Sequence, residues 1–146
     1  MSKLRVLLVE DNPDDERLAR RALRSLEGVD LEVAHDGQEA IDRLGESSSE
    51  MPKLVLLDLK LPKVGGLDVL RWIRGHEKNV SMPVVVFSSS DEVSDRVACQ
   101  RLHANSFIQK PVDFDRFLKI FRCTVEYWLT IHLPATRDGV DELVGC

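Results

Sequence analysis

The sequence predicts a doubly wound α/β fold, one parallel sheet of five strands with helices on both faces, and three observations predict it. Short apolar runs rich in Val, Leu and Ile recur at residues 4–9, 31–34, 54–57, 83–87 and 106–108, and such runs read as strands buried on both faces. Segments of helical periodicity separate them, so strand and helix alternate five times; right-handed crossovers then make the sheet parallel. Four of the runs end in a polar residue: Glu10 and Asp11 after LRVLLV, Asp58 after LVLL, Ser88 after PVVVF and Lys110 after SFIQ. Open α/β sheets place their ligands at this carboxyl edge.

The helices follow from their spacing. Asn12 suits the cap of the first helix and Pro13 its first turn, while Asp14, Asp15 and Glu16 complement its positive end. Leu18, Ala19, Ala22, Leu23 and Leu26 recur on one side of it, and Arg17, Arg20, Arg21 and Arg24 largely on the other. A second helix spans 37–44 with Ala40, Ile41 and Leu44 inward, and 45–52 reads as a loop. A third spans 67–74 on Leu67, Leu70 and Ile73, and a fourth spans 92–102 behind the capping serines and Asp91. The last spans 114–131. Its first stripe is Phe114, Phe117, Leu118, Phe121, Val125 and Trp128; its second is Ile120, Tyr127 and Ile131. These elements suit a flavodoxin-like sheet of order 2-1-3-4-5, in which Glu10 and Asp11 neighbour Asp58 at the centre.

The bulk composition narrows the function. A chain of 146 residues fits one domain with a real core. Twenty Lys and Arg against 25 Asp and Glu give a net charge of −5, which argues against a general grip on nucleic acid or an acidic membrane. Cys99, Cys123 and Cys146 lack metal-ligand or disulfide spacing and read as free thiols of a reducing cytoplasm. The first apolar run meets charge after six residues, too soon for a signal peptide or a spanning helix.

The residues gathered at the sheet edge suit one chemistry. Asp58 follows four apolar residues and is crowded by Glu10 and Asp11, and like charges at short range are relieved by a divalent cation. Mg2+ takes one or two carboxylates together with waters and phosphate oxygens. Phosphoryl transfer needs positioning and charge neutralisation above all. Asp58 is then the nucleophile, with the cation, Lys110 and the Ser88 hydroxyl each neutralising one phosphoryl oxygen. Pro111 directly after the lysine admits either peptide isomer.

In this order and spacing VEDN, LLDLKLPKVGG, PVVVFSSSD and SFIQKPVDF resemble the receiver domain of a two-component response regulator, over about residues 4–127. The resemblance implies that Asp58 accepts the phosphoryl group, that Glu10 and Asp11 bind Mg2+, that Ser88 and Phe107 are switch residues and that Lys110 pairs with the phosphoryl group. It implies a signalling protein rather than an enzyme in the ordinary sense. Glu10 stands where Asp is most frequent, Ser88 where Thr is commoner, and His103 where Gly is usual. Lys60 and Ser90 occupy positions that influence acyl phosphate hydrolysis in this family; Lys60 is poorly suited to orient water, so a moderately long-lived phosphoryl state is expected.

The segment LPKVGGLDVL, the tract KPVDFDRF and the YWL near the end of the last helix are similar to single-domain regulators that partner bacterial phytochrome histidine kinases, so a bacteriophytochrome is the expected kinase. On this reading residues 1–133 form the receiver and 134–146 a short tail without an output domain, and the signal passes through a surface. Ile120, Tyr127, Trp128 and Ile131 are the candidate homodimer interface, formed with the fourth helix and fifth strand, and the basic side of the first helix is the candidate kinase dock. A haloacid dehalogenase-type phosphohydrolase would carry an acid where Lys60 stands, and the acidic EDNPDD would repel a flavin phosphate. The remaining alternative is a receiver-like module that binds partners without phosphorylation.

Overall fold

In the computed structural model, which describes residues 3–46, 51–76 and 79–132, the elements follow one another as β1 (Leu4–Val9), α1 (Pro13–Ala22), β2 (Val29–Ala34), α2 (Gly37–Gly45), β3 (Leu54–Leu57), α3 (Gly66–Gly75), β4 (Val84–Ser88), α4 (Val93–Arg101), β5 (Ser106–Gln109) and α5 (Phe114–Glu126). The strands are all parallel in the order β2-β1-β3-β4-β5. The expected sheet is therefore the observed one, with β1 and β3 side by side. The expected tail, 134–146, and Cys146 lie outside the described residues. Among those residues no helix is long and apolar enough to cross a membrane.

Period-two alternation along the strands divides the core into two layers. Leu7, Val9, Val55, Leu57, Val84 and Val86 point to one face, where Ala40, Leu44, Leu70, Ile73 and Cys99 of α2, α3 and α4 cover them. Val6, Leu8, Leu54, Leu56, Val85 and Phe87 point to the other, under Ala19 and Ala22 of α1 and Phe117, Phe121 and Val125 of α5. Phe87 meets Phe117 and Phe121 edge-on, with ring centroids 5.2 and 5.5 Å away. From Val6 onward in β1, and throughout β3 and β4, the central strands are thus dry on both faces, as their apolar runs require.

Several boundaries differ from the sequence reading for local reasons. The apolar pattern of the first helix continues to Leu26, but the helix ends at Ala22, where the Leu23 amide closes back on the Ala19 carbonyl. β4 runs one residue further than expected, so that Ser88 is its last residue and still pairs with Gln109. Phe114 does not join the buried stripe of α5: it is 71 % exposed, on the first turn of the helix, and borders an open groove with Arg17, Arg20 and Arg21 of α1. The expected helix to Ile131 is α-helical only to Glu126 and continues as a π-helical turn, Tyr127–Ile131, closed by the His132 amide on the Tyr127 carbonyl at 2.7 Å. Such turns concentrate at functional surfaces. Every peptide bond described is trans, including Lys110–Pro111.

The helix α4 ends in a closed motif whose central residue departs from the usual chemistry. The His103 amide donates to the Gln100 carbonyl and the Ala104 amide to the Cys99 carbonyl, at 3.0 and 2.9 Å, which forces His103 to φ +63°. Glycine takes that conformation without the Cβ penalty. His103→Gly is expected to stabilise the protein by about 1 kcal/mol, seen as a higher midpoint in chemical denaturation; an unchanged or lower midpoint would contradict it. The His103 carbonyl also accepts from Arg74 Nε at 3.0 Å. Arg74 further binds the Met82 carbonyl at 2.7 Å and Asn105 Oδ1 at 2.8 Å, and so ties the end of α3 to the starts of β4 and β5.

Candidate functional site

The carboxyl ends of β1, β3 and β5 bring four of the predicted residues into one pocket. Glu10 and Asp11 follow β1, Asp58 follows β3 and Lys110 follows β5; the Asp58 amide donates to the Val9 carbonyl at 3.1 Å, and the Lys110 amide to the Ser88 carbonyl at 2.8 Å. These bonds extend the sheet pairing by one residue and fix where each side chain starts. Glu10 and Asp58 are buried, at 2 % and 6 % exposure, while Asp11 is open to solvent. Two charged carboxylates do not survive that depth without partners.

Lys110 is the partner. Its Nζ lies 2.5 Å from Glu10 Oε1, 3.1 Å from Asp58 Oδ2 and 2.9 Å from Asp15 Oδ2. Asp58 Oδ1 accepts the Leu59 amide at 2.7 Å, and Glu10 Oε2 accepts the Asn12 amide at 3.3 Å. Burial pushes the Glu10 carboxyl up to about 7, although Lys110 pulls it down. Burial pulls the Lys110 ammonium down, but the carboxylates of Asp58 and Glu10 outweigh it and hold the group above the usual lysine value. The lysine stays charged while the acids compete for it.

Glu10, Asp11 and Asp58 each present a carboxylate oxygen within 4.8 Å of the others. Three hard oxygen donors around one point fit a hard divalent cation of the Mg2+ or Mn2+ kind, and no nitrogen or sulfur ligand stands among them to favour a softer metal.

Ser88 lies at the same edge, fully buried, but its Oγ is turned to accept the Ser90 amide at 3.2 Å. Ser90 in turn donates its hydroxyl to Asp95 Oδ2 in the first turn of α4, at 2.5 Å. Phe107 sits on β5 opposite Val86, half-buried against the core layer under α3 and α4. Lys60 is exposed.

Two contributors escaped the sequence reading. Asp15 reads there as one of three acids at a helix start; its contact with a lysine 95 residues away has no local signature. Gly66 reads as a loop residue, yet a Cβ there would lie 2.2 Å from the Asp58 carbonyl oxygen and 2.6 Å from Leu59 Cα. The only signal for it was the doubled glycine of VGG. The predicted Ile120, Tyr127, Trp128 and Ile131 gather away from the pocket. Tyr127 and Ile131 are exposed, Ile120 and Trp128 half-buried, and all but Ile131 border an open groove of about 1010 Å3 between β5 and α5.

This geometry coincides with a family. The model of the response regulator receiver domain matches residues 6–122, most of the chain. The chain belongs to the response regulator receiver domain family. Among relatives of the receiver, Rcp1 of Synechocystis sp. is 35% identical over 136 residues, 89% of this chain and 92% of Rcp1. The crystal structure of its Mn2+-bound form superposes with a TM-score of 0.85 at 31% identity, covering 90% of this chain and 99% of that one. The phosphorylated cyanobacterial phytochrome response regulator RcpA superposes at 0.86 and 33% identity, covering 92% and 100%. The transcriptional regulatory protein TrcR of Mycobacterium tuberculosis is 39% identical over 121 residues, 83% of this chain, and the chain spans only 45% of its length.

Receivers as a family are phosphorelay signalling proteins that work with sensor kinases and bind a divalent cation, and this chain carries such a receiver. A receiver is a signalling protein and not an enzyme in the ordinary sense.

Proposed function

We propose that Asp58 is the phosphoacceptor of this receiver, with Glu10, Asp11 and Asp58 holding Mg2+ and Lys110 and Ser88 contacting the phosphoryl group. One observation carries the assignment: a single lysine joins Glu10 and Asp58 at 2.5 and 3.1 Å, beside three carboxylate oxygens that converge within 4.8 Å. In the reaction an Asp58 carboxylate oxygen attacks phosphorus; the new P–O bond forms as the P–N bond to the kinase histidine breaks, and the histidine leaves with the bonding electron pair. Bound Mg2+ would neutralise charge on the transferring group. Burial of Asp58 removes water that would screen that charge, and the Leu59 amide orients the carboxylate.

The output is a population shift. Ser88 is turned to Ser90 in this state, and a phosphoryl group on Asp58 gives its hydroxyl a new partner; Phe107, half-buried, follows inward. The face formed by α4, β5 and α5 then changes, and with it a homodimer interface on Ile120, Tyr127, Trp128 and Ile131. Val97 of α4 and Tyr127 and Ile131 at the end of α5 are exposed apolar side chains that such an interface would cover. Exposed Lys60 leaves attacking water without an acid or amide to orient it, which favours a long-lived phosphoryl state.

The kinase is of the phytochrome type, and the place of action is the cytoplasm. The likeness to RcpA over 92% of this chain supports the partner. Incubation with an autophosphorylated bacteriophytochrome kinase is expected to move label from the kinase to this chain, at least about tenfold faster than from an unrelated kinase, and not at all to Asp58→Asn. Equal transfer from both kinases would refute the partner. The native chain should sediment as a dimer and Tyr127→Asp as a monomer; a monomeric native chain at every loading, phosphorylated or not, would refute the interface.

A further inference from the structure

The Lys110 ammonium has three N–H donors, and three different carboxylates take them. Two of the three belong to the proposed reaction. Glu10 and Asp58 are among the converging oxygens that fit a cation, and Asp58 exchanges its carboxylate charge for an acyl phosphate. Asp15 is outside that cluster. It stands in the acidic first turn of α1, and its carboxylate is untouched by either event.

The position of Asp15 is set independently of the lysine. Asn12 caps α1 by accepting the amides of Asp14 and Asp15 at 2.9 and 3.2 Å, which fixes the backbone of the first turn. From there the carboxylate reaches across to Lys110, whose backbone is held by β4 through Ser88. The Asp15 side chain is 23% exposed and the Lys110 side chain 8%, so the pair is shielded well enough to orient the ammonium.

Building on the assignment of Asp58 as acceptor, we propose that Asp15 is the positioning residue of this site. It anchors the Lys110 ammonium from the α1 side when the cation has claimed Glu10, and so keeps one N–H aimed at the phosphoryl group on Asp58. A flexible lysine with a single remaining contact would otherwise have to be ordered during the transfer itself. Asp15 touches no reacting atom in this account, and its effect passes through Lys110 alone.

The test is the initial rate of phosphoryl incorporation from acetyl phosphate at saturating Mg2+, followed by intact mass, for the native protein, Asp15→Asn, Lys110→Ala and the double variant. Asp15→Asn is expected to slow incorporation about tenfold, with the apparent Mg2+ affinity and the thermal midpoint in Mg2+ close to native, and Asp15→Glu to recover most of the rate. In the Lys110→Ala background Asp15→Asn should have no further effect. That dependence is what a merely structural role for Asp15 would not show. A native rate in Asp15→Asn, or an equal loss with and without Lys110, overturns the proposal while leaving the acceptor assignment standing. No adduct on the native protein overturns the acceptor assignment and this proposal with it.

Discussion

Lys110→Ala is expected to destabilise the metal-free protein by about 3 kcal/mol, because it removes the one cation shared by three carboxylates, two of them buried. In a chain of this size that lowers the thermal midpoint by roughly 10 °C. The same change should tighten Mg2+ binding by about tenfold or more, since the ammonium competes with the cation for Glu10 and Asp58. Saturating Mg2+ therefore restores most of the lost stability. Thermal melts in chelator and in Mg2+ read both effects. An unchanged midpoint in chelator would mean that the lysine does not hold the acids together.

Gly66→Ala is the second large effect. The new Cβ would run into the Asp58–Leu59 peptide, 2.2 Å from the Asp58 carbonyl oxygen and 2.6 Å from Leu59 Cα, and backbone cannot step aside as a side chain can. Overpacking of this kind costs about 2–3 kcal/mol. Because the displaced atoms carry the Asp58 carboxylate, phosphoryl incorporation should also fall, by about tenfold to a hundredfold. Gly65→Ala is the control: a Cβ there meets only the Leu59 carbonyl oxygen, at 4.0 Å. Denaturation midpoints and incorporation rates near native for Gly65→Ala and depressed for Gly66→Ala are the expected pair. Equal behaviour of the two would show that the close approach is unimportant.

What the sequence made legible was what depends on local pattern and on the direction of the sheet. The runs at 4–9 and 54–57 coincide with β1 and β3 because a strand buried on both faces is a nearly continuous apolar run, interrupted here at Arg5 alone, that ends where the polar residues of the sheet edge begin. Once the strands are parallel, Glu10, Asp11, Asp58, Ser88 and Lys110 must share one edge, and they do. Asp15 was hidden because its partner is distant in sequence, and Arg74 because an arginine in the last turn of a helix has no mark of the four carbonyls and one amide oxygen it binds. The π-helical turn was hidden too. Apolar residues at Val125 and Trp128 suit the face of either helix, so their spacing does not mark the change at Tyr127. Phe114 fits the stripe by spacing, but spacing does not say that a side chain on the first turn stays exposed.

Everything proposed for this chain depends on Asp58, with a divalent cation, taking a phosphoryl group at the edge these strands create. Intact mass after incubation with acetyl phosphate tests it most directly, on the native protein with Mg2+, the native protein with chelator and Asp58→Asn with Mg2+. One added phosphoryl group is expected in the first sample and none in the other two. An adduct of equal yield in Asp58→Asn, or none in the native protein at any sampling time, would contradict it.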